Sequence, residues 1–240
     1  FINAAIQAAH TNGGGVVYIP QGIYSLQLPS NSLYNGYDAG GGADPCILLL
    51  PGVDLVGEGR GKTVLKMGYV HQASNAPTAI AKAVACHDFK IHGLTFQGNS
   101  LGGTSFVPGE NTAIDLQDAC RRWDISNCEF ADFYNEGIDH DISTVQDYID
   151  IDKEGYACAV TDCIFTNIGG TGFHNAYGMI FSRCVFRNVG VQRYNGALNG
   201  DPGTSGSGAI DGNGHKVIIE SCEFYDCSRL LDRYVGMQGG

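Results

Sequence analysis

SNCEFAD at 126–132, TDCIFTN at 161–167, SRCVFRN at 182–188 and ESCEFYD at 220–226 are four copies of one short pattern. Each sets a cysteine two residues before a phenylalanine, and residues two apart in a strand face the same side. Cys128, Cys163, Cys184 and Cys222 therefore share an apolar, inward face with Phe130, Phe165, Phe186 and Phe224. HGLTFQGN at 92–99 is a fifth copy, with Leu94 in the cysteine's place and its asparagine one position late. Two residues beyond each phenylalanine of the first four copies stands Asp132, Asn167, Asn188 or Asp226. These types accept left-handed backbone and bond their own turn, so one corner recurs after each strand.

The cysteines are 35, 21 and 38 residues apart, which fits a coil of about 21 residues carrying long insertions in alternate turns. Such a coil cannot bury its apolar face alone and must stack on its neighbours. The expectation is an all-β parallel β-helix in which like side chains form ladders at ~4.8 Å. A propeller or sandwich needs evenly spaced hairpins, and no Asn-Gly or Asp-Gly series lies between the matched strands. With 35 glycines, 16% charged and 43% hydrophobic residues, the composition suits short strands, tight turns and a filled core. One domain over 1–240 is expected. Nine cysteines match neither a zinc ribbon nor a compact disulfide scaffold and read as mostly buried thiols. The net charge of −11 without a basic run excludes nucleic acid as a partner. It also repels polyanions unless a local cationic patch or calcium intervenes, which favours neutral glycans over uronates. No apolar run of the ~18 residues needed for a membrane span occurs.

INAAIQAAHTNGGGVVYIPQGIYSL at 2–26 runs from an amphipathic helix, with Ile2, Ala5, Ile6 and Ala9 on one face, through a glycine stop into two strands. This opening resembles that of the pectate-lyase-like superfamily of right-handed β-helix proteins, which includes phage tailspikes and several glycoside hydrolase families. The resemblance implies a right-handed solenoid with coils over 13–240, capped by a helix over 1–12 that hides an edge strand from aggregation. It also implies a missing turn of helix before Phe1 and further coils beyond Gly240.

The register places the polar residues. Ile138 lies ten residues after Cys128 and Phe173 ten after Cys163, so Asp139 and His174 fall side by side on the outer face. His140 and Asn175 then turn inward or end the strand, and Asp141 returns outward. Ile114 and Ile149 precede their cysteines by 14 and Ile210 precedes Cys222 by 12, which brings Asp115, Asp150 and Asp211 toward the row. Asp139 and Asp150 need not both belong to it. Forward counting brings Asn195 and Arg233 near. Like charges stacked at ~4.8 Å raise one another's pKa, a cost that a structural strand avoids by using Thr, Ser or Asn. Glycosidases use that arrangement, with one carboxyl kept protonated and another ionised. Adjacent coils offer the ~5 Å of a retaining pair; Asp139 and Asp211, flanking His174, offer about 9.6 Å, near the inverting limit. Insertions at 98–112, 141–157 and 190–208 would border a groove, with Tyr134, Tyr148, Tyr156 and Tyr194 as sugar-stacking surfaces and Asp141, Asn175 and Arg233 as further contacts.

The leading functional expectation is a polysaccharide depolymerase, a glycoside hydrolase working through Asp139 with Asp115, Asp150 or Asp211, while His174 orients or protonates. No cofactor is required. DYIDIDKE at 147–154 spaces acids at alternate positions and leaves calcium open, although the EF-hand glycine and terminal glutamate are missing. The alternative is a polysaccharide lyase or uronate C5-epimerase. Such β-helix enzymes resemble this chain in YNEGIDH and TGFHNAYG, which implies proton transfer by His140 or Tyr134 while a cation neutralises the uronate. The lack of a Lys or Arg in the row counts against it. The third reading is a glycan-binding adhesin or stalk. The superfamily resemblance places the protein outside the cell or on a virion, and its tailspike members imply a homotrimer.

Overall fold

A computed structural model describes residues 1–27, 45–68, 78–99, 111–118, 120–140, 157–190, 193–194, 197–198, 208–212, 217–228 and 231–233. They form three seven-stranded parallel sheets and one short antiparallel pair, Arg193–Tyr194 with Ala197–Leu198. The first sheet runs from Gly15–Ile19 to Val217–Glu220 and the second from Gly22–Leu26 to Glu223–Tyr225. The third orders Ile47–Leu48, Thr78–Val84, Asn111–Gln117, Glu136–His140, Thr171–His174, Ile210–Gly212 and Leu231–Arg233. Every neighbour in a sheet comes from the next coil, the connectivity of a parallel β-helix. Cys158 pairs with Met179 and Val160 with Phe181, a coil of 21 residues as expected.

The phenylalanines stack. Phe96, Phe130, Phe165, Phe186 and Phe224 are register partners in series, with ring centroids 5.4, 4.8, 4.6 and 5.1 Å apart. Cys128, Cys163 and Cys184 are fully buried beside them, and all nine cysteines are free thiols. The corner residues Asp132, Asn167, Asn188 and Asp226 have φ of 64°, 54°, 53° and 51°. Asn167 donates to Asp132 Oδ1 at 3.0 Å and Asn188 to Asn167 Oδ1 at 2.8 Å, so the turns are laced by a side-chain ladder.

The helix spans Ile2–Thr11. Ile6 is buried and Ile2 and Ala9 partly so, whereas Ala5, expected on the packed face, is exposed; Asn3 takes part in the contact instead. Asn3 donates to the Cys46 carbonyl at 2.9 Å and accepts from the Leu48 amide at 3.0 Å. Ile47–Leu48 is the terminal strand of the third sheet, so the helix closes an otherwise open edge. Among the described residues no helix is long and apolar enough to cross a membrane.

Candidate active site

The outer face of the third sheet carries the row of ionisable residues. Lys82 is the register partner of Asp115, Asp115 of Asp139, and Asp139 of His174. Phe173 pairs with Ile210, which places Asp211 beside His174, and Asp211 pairs with Asp232. Ile114, Ile138, Phe173 and Ile210 are all fully buried, and this is what turns the residue after each one outward.

Strict alternation would also bury Glu136, two residues before Ile138, but the strand departs from it. A Cβ added at Gly137 would lie 2.8 Å from the Phe165 ring and 3.0 Å from Ile168, so Gly137 already faces the core. Gly137 and Ile138 thus both turn inward, leaving Glu136 and Asp139 together on the outer face. Gly172 repeats the device on the next coil, against Phe186. Glycine is what lets the backbone pack so close to the phenylalanine stack.

His174 is the hub. Its Nδ1 lies 3.0 Å from Asp139 Oδ1 and 3.5 Å from Glu136 Oε1, and its Nε2 lies 3.3 Å from Asp211 Oδ2. Burial alone would lower its pKa, but the hydrogen bonds to Asp139 and Asp211 and the charges of Glu136 and Asp139 raise it to about 11. At neutral pH His174 is an imidazolium. Glu136 moves the other way from a usual carboxyl. Burial, then the charge of Asp139, push its pKa up to about 8 against the opposing pull of His174 and a 3.2 Å hydrogen bond from Thr112. Further along, Lys82 Nζ stands 3.5 Å from Asp115 Oδ2, their side chains 6% and 14% exposed, and Gln117 donates to the same oxygen at 3.2 Å.

Asp115, Asp139, His174 and Asp211 therefore come together as the spacing predicts. His140 does not join them: it is fully buried, its Nε2 3.1 Å from the Cys120 carbonyl oxygen and its ring packed edge-on against Trp123. The outward turn of Asp139 sends its successor into the core. Arg233 is one position beyond the row, aligned with Gly212, and Asp232 takes the register place. Asn175 ends its strand at φ 58° with its amide 3.4 Å from His174 Nδ1, and Tyr134 is half-buried at the corner before Glu136. Asp141, Asp150, Tyr148, Tyr156 and Asn195 lie outside the described residues, as do the side chains of Tyr194 and Arg233 and most of the three insertions. Two members of the site were not foreseen. Glu136 was hidden by the break in alternation. Lys82 had a visible signal, an apolar residue followed by a charged one in the coil before Leu94, and it overturns the expectation that no cation lies in the row.

Glu136, Asp139 and His174 each present one ligand atom, all within 4.8 Å of one another. They do not fit calcium. The imidazolium has no lone pair to offer while its nitrogens serve Asp139 and Asp211, and two carboxylates fall short of the six to eight oxygens that calcium takes. DYIDIDKE lies outside the described residues.

Comparison with known proteins agrees with this architecture. The chain is 33% identical over 129 residues to alginate lyase 7 of Azotobacter vinelandii, covering 47% of this chain and 13% of that protein. It is 35% identical over 117 residues to mannuronan C5-epimerase AlgE4 of the same organism, covering 45% of this chain and 18% of that one. The chain thus spans less than a fifth of the length of either relative. In fold, a mutant tailspike protein of E. coli bacteriophage HK620, solved in complex with a pentasaccharide, superimposes with a TM-score of 0.58 at 16% identity, covering 97% of this chain and 36% of that one. The family model described as rhamnogalacturonase A/epimerase, pectate lyase-like, matches residues 1–232, and the chain belongs to that family.

Proposed function

We propose that the chain carries the active site of a polysaccharide-modifying enzyme that acts on a uronate-containing glycan by proton transfer at C5, as a lyase or an epimerase. The observation that carries this reading is the His174 imidazolium, held on the outer wall between Asp139 and Asp211. The proton at C5 of a uronate becomes removable when the adjoining carboxylate is neutralised, and a fixed cation in a partly desolvated site does this without reorganising. Lys82 offsets Asp115, and His174 offsets one charge of the Asp139 and Asp211 pair. The row is thus far less hostile to an anion than the net charge of −11 implies. The alginate lyase and mannuronan epimerase named among the relatives support mannuronan as the first substrate to test.

Hydrolysis is the second reading, favoured by a protonated carboxyl beside other carboxylates. It is weakened because Asp139 and Asp211 are both engaged by one imidazolium, which blunts either as a nucleophile. Incubation with mannuronan, polygalacturonate and a neutral glycan separates the outcomes. Unsaturated uronate ends indicate elimination, inverted C5 signals in the NMR spectrum indicate epimerisation, and new reducing ends without unsaturation would replace this reading with hydrolysis. Binding without any product would make the protein an adhesin. An extracellular or virion-surface location goes with a polymeric glycan substrate.

A further inference from the structure

We infer that Glu136 is the general base that takes the C5 proton of the bound uronate, while the His174 imidazolium faces the uronate carboxylate; this rests on the C5 reading of the site. The carboxylates of the row differ in how far they are already committed. Asp139 and Asp211 each stand against a nitrogen of His174, and Asp115 is held by Lys82 and Gln117. Among the described residues Glu136 accepts from Thr112 on Oε2, while Oε1 lies 3.5 Å from His174 Nδ1, outside the usual N–H···O length. Oε1 is therefore an oxygen with capacity to spare, set beside the cation that a uronate carboxylate would seek.

The strand fixes it there. With Gly137 and Ile138 both turned inward, Glu136 and Asp139 flank a two-residue inward step, and the Glu136 side chain, 14% exposed, retains an opening to the outer face. The groups that face it are Asp139 on its own strand, Asp115 and Thr112 on Asn111–Gln117, and His174 on Thr171–His174. Burial in that company brings its pKa to about 8, which makes it a stronger base than an ordinary carboxylate yet one still partly ionised at neutral pH.

In the step, the C5–H bond breaks and an O–H bond forms on Glu136. The electron pair passes into the C5–C6 carboxylate system, where the added negative charge faces His174. Elimination follows when that pair forms the C4–C5 double bond and the C4–O4 bond breaks, the proton on Glu136 passing to O4. Epimerisation follows when a solvent proton reaches C5 from the opposite face and Glu136 returns its proton to water.

The test uses residues 1–240 with mannuronan, following kcat, KM and incorporation of solvent deuterium at C5 across pH 5 to pH 10. Wild-type kcat/KM should rise with pH and level off above about 8. Glu136→Gln should lower kcat by about a hundredfold to ten-thousandfold, the usual worth of a general base, with KM little changed and deuterium incorporation lost. Glu136→Asp should keep partial activity with its rising limb displaced, and it serves as the readout should the glutamine variant fold poorly. An active wild type with an unchanged kcat in Glu136→Gln, or a limb that does not move in Glu136→Asp, overturns the assignment of Glu136 alone. A wild type that forms neither unsaturated nor C5-inverted product, nor deuterated uronate, overturns the C5 reading and this assignment with it.

Discussion

Gly137→Ala tests the link between fold and site. The added methyl would meet Gly172 O at 2.5 Å, Phe165 Cδ1 at 2.8 Å and Ile168 Cδ1 at 3.0 Å. The first contact is with backbone of the next coil, whose distance is set by the ladder at ~4.8 Å and cannot grow without breaking hydrogen bonds. Overpacking of this kind costs about 1–3 kcal/mol, and a clash with a backbone carbonyl belongs at the upper end. For a chain of this size about 3 kcal/mol lowers Tm by roughly 6–12 °C. Phe165→Leu added to Gly137→Ala relieves the ring contact and leaves the carbonyl contact, so the pair should recover less than half of the loss, a non-additivity expected of touching residues. The displaced strand carries Glu136 and Asp139 away from His174, so turnover should fall even well below Tm. Calorimetry and steady-state rates on the two variants decide the matter. A Gly137→Ala protein with the Tm and activity of wild type would mean that position 137 faces solvent, that Glu136 points into the core, and that the acid pair on the outer wall does not exist.

Four further outcomes follow from the same geometry. His174 titrates near 6.5 when unfolded and at about 11 when folded, so its stabilising contribution is full below pH 6.5 and is lost as pH rises through 11; denaturant titrations should show the gap between wild type and His174→Gln narrowing across that window. Glu136 is also raised, from 4.5 to about 8, which for a carboxyl means that ionisation weakens the fold; Glu136→Gln should gain on wild type in melts taken from pH 4.5 to pH 8, and a constant difference would refute the burial argument. Lys82→Met strands Asp115 in the half-closed row and should cost about 3–5 kcal/mol in urea unfolding, most of it restored by Lys82→Met with Asp115→Leu. Asn167→Gly keeps the left-handed corner at φ 54° but removes its bonds to Asp132 and Asn188, a loss of about 1–3 kcal/mol, while Asn167→Val, β-branched in that backbone, should be worse.

The solenoid was legible because its ladders repeat identical side chains at identical spacing. Phe130, Phe165 and Phe186 announce the register, and counting ten residues on from Cys128 and Cys163 lands on Ile138 and Phe173, then on Asp139 and His174. The count failed where the backbone departs from strict alternation or a coil is one residue shorter than its neighbours. Glu136 shares parity with Ile138 and would be read as buried; only Gly137 and Gly172, at matching places in EGID and TGFH, hint that the alternation breaks there. Arg233 missed by a single residue: it lies eleven after Cys222, as Asp139 does after Cys128, but the row position is Asp232, so the stretch from cysteine to row is one residue shorter in this coil. Parity allowed His140 to turn inward, and it does; what fails is the proton-transfer role that the resemblance implied for it.

The contrast between the two ladders explains why the third sheet is the place to look for chemistry. In the corner ladder Asn167 donates to Asp132 on the coil before it and accepts from Asn188 on the coil after it, so the two amides stack without like charge and the carboxylate of Asp132 receives a donor. The outer row of the third sheet reads Lys82, Asp115, Asp139, His174 and Asp211, in which Asp115 already stacks on Asp139 and a cation flanks that pair on either side. A fold whose stability comes from repetition tolerates such a row only because cations are inserted into it, at Lys82 and at His174. Lys82 is spent on Asp115 in a nearly closed pair, while His174, its side chain 32% exposed, still reaches solvent between two carboxylates. The departure from repetition and the opening to solvent coincide at one residue, and the acid beside it, Glu136, is the one that the repeat itself would have buried.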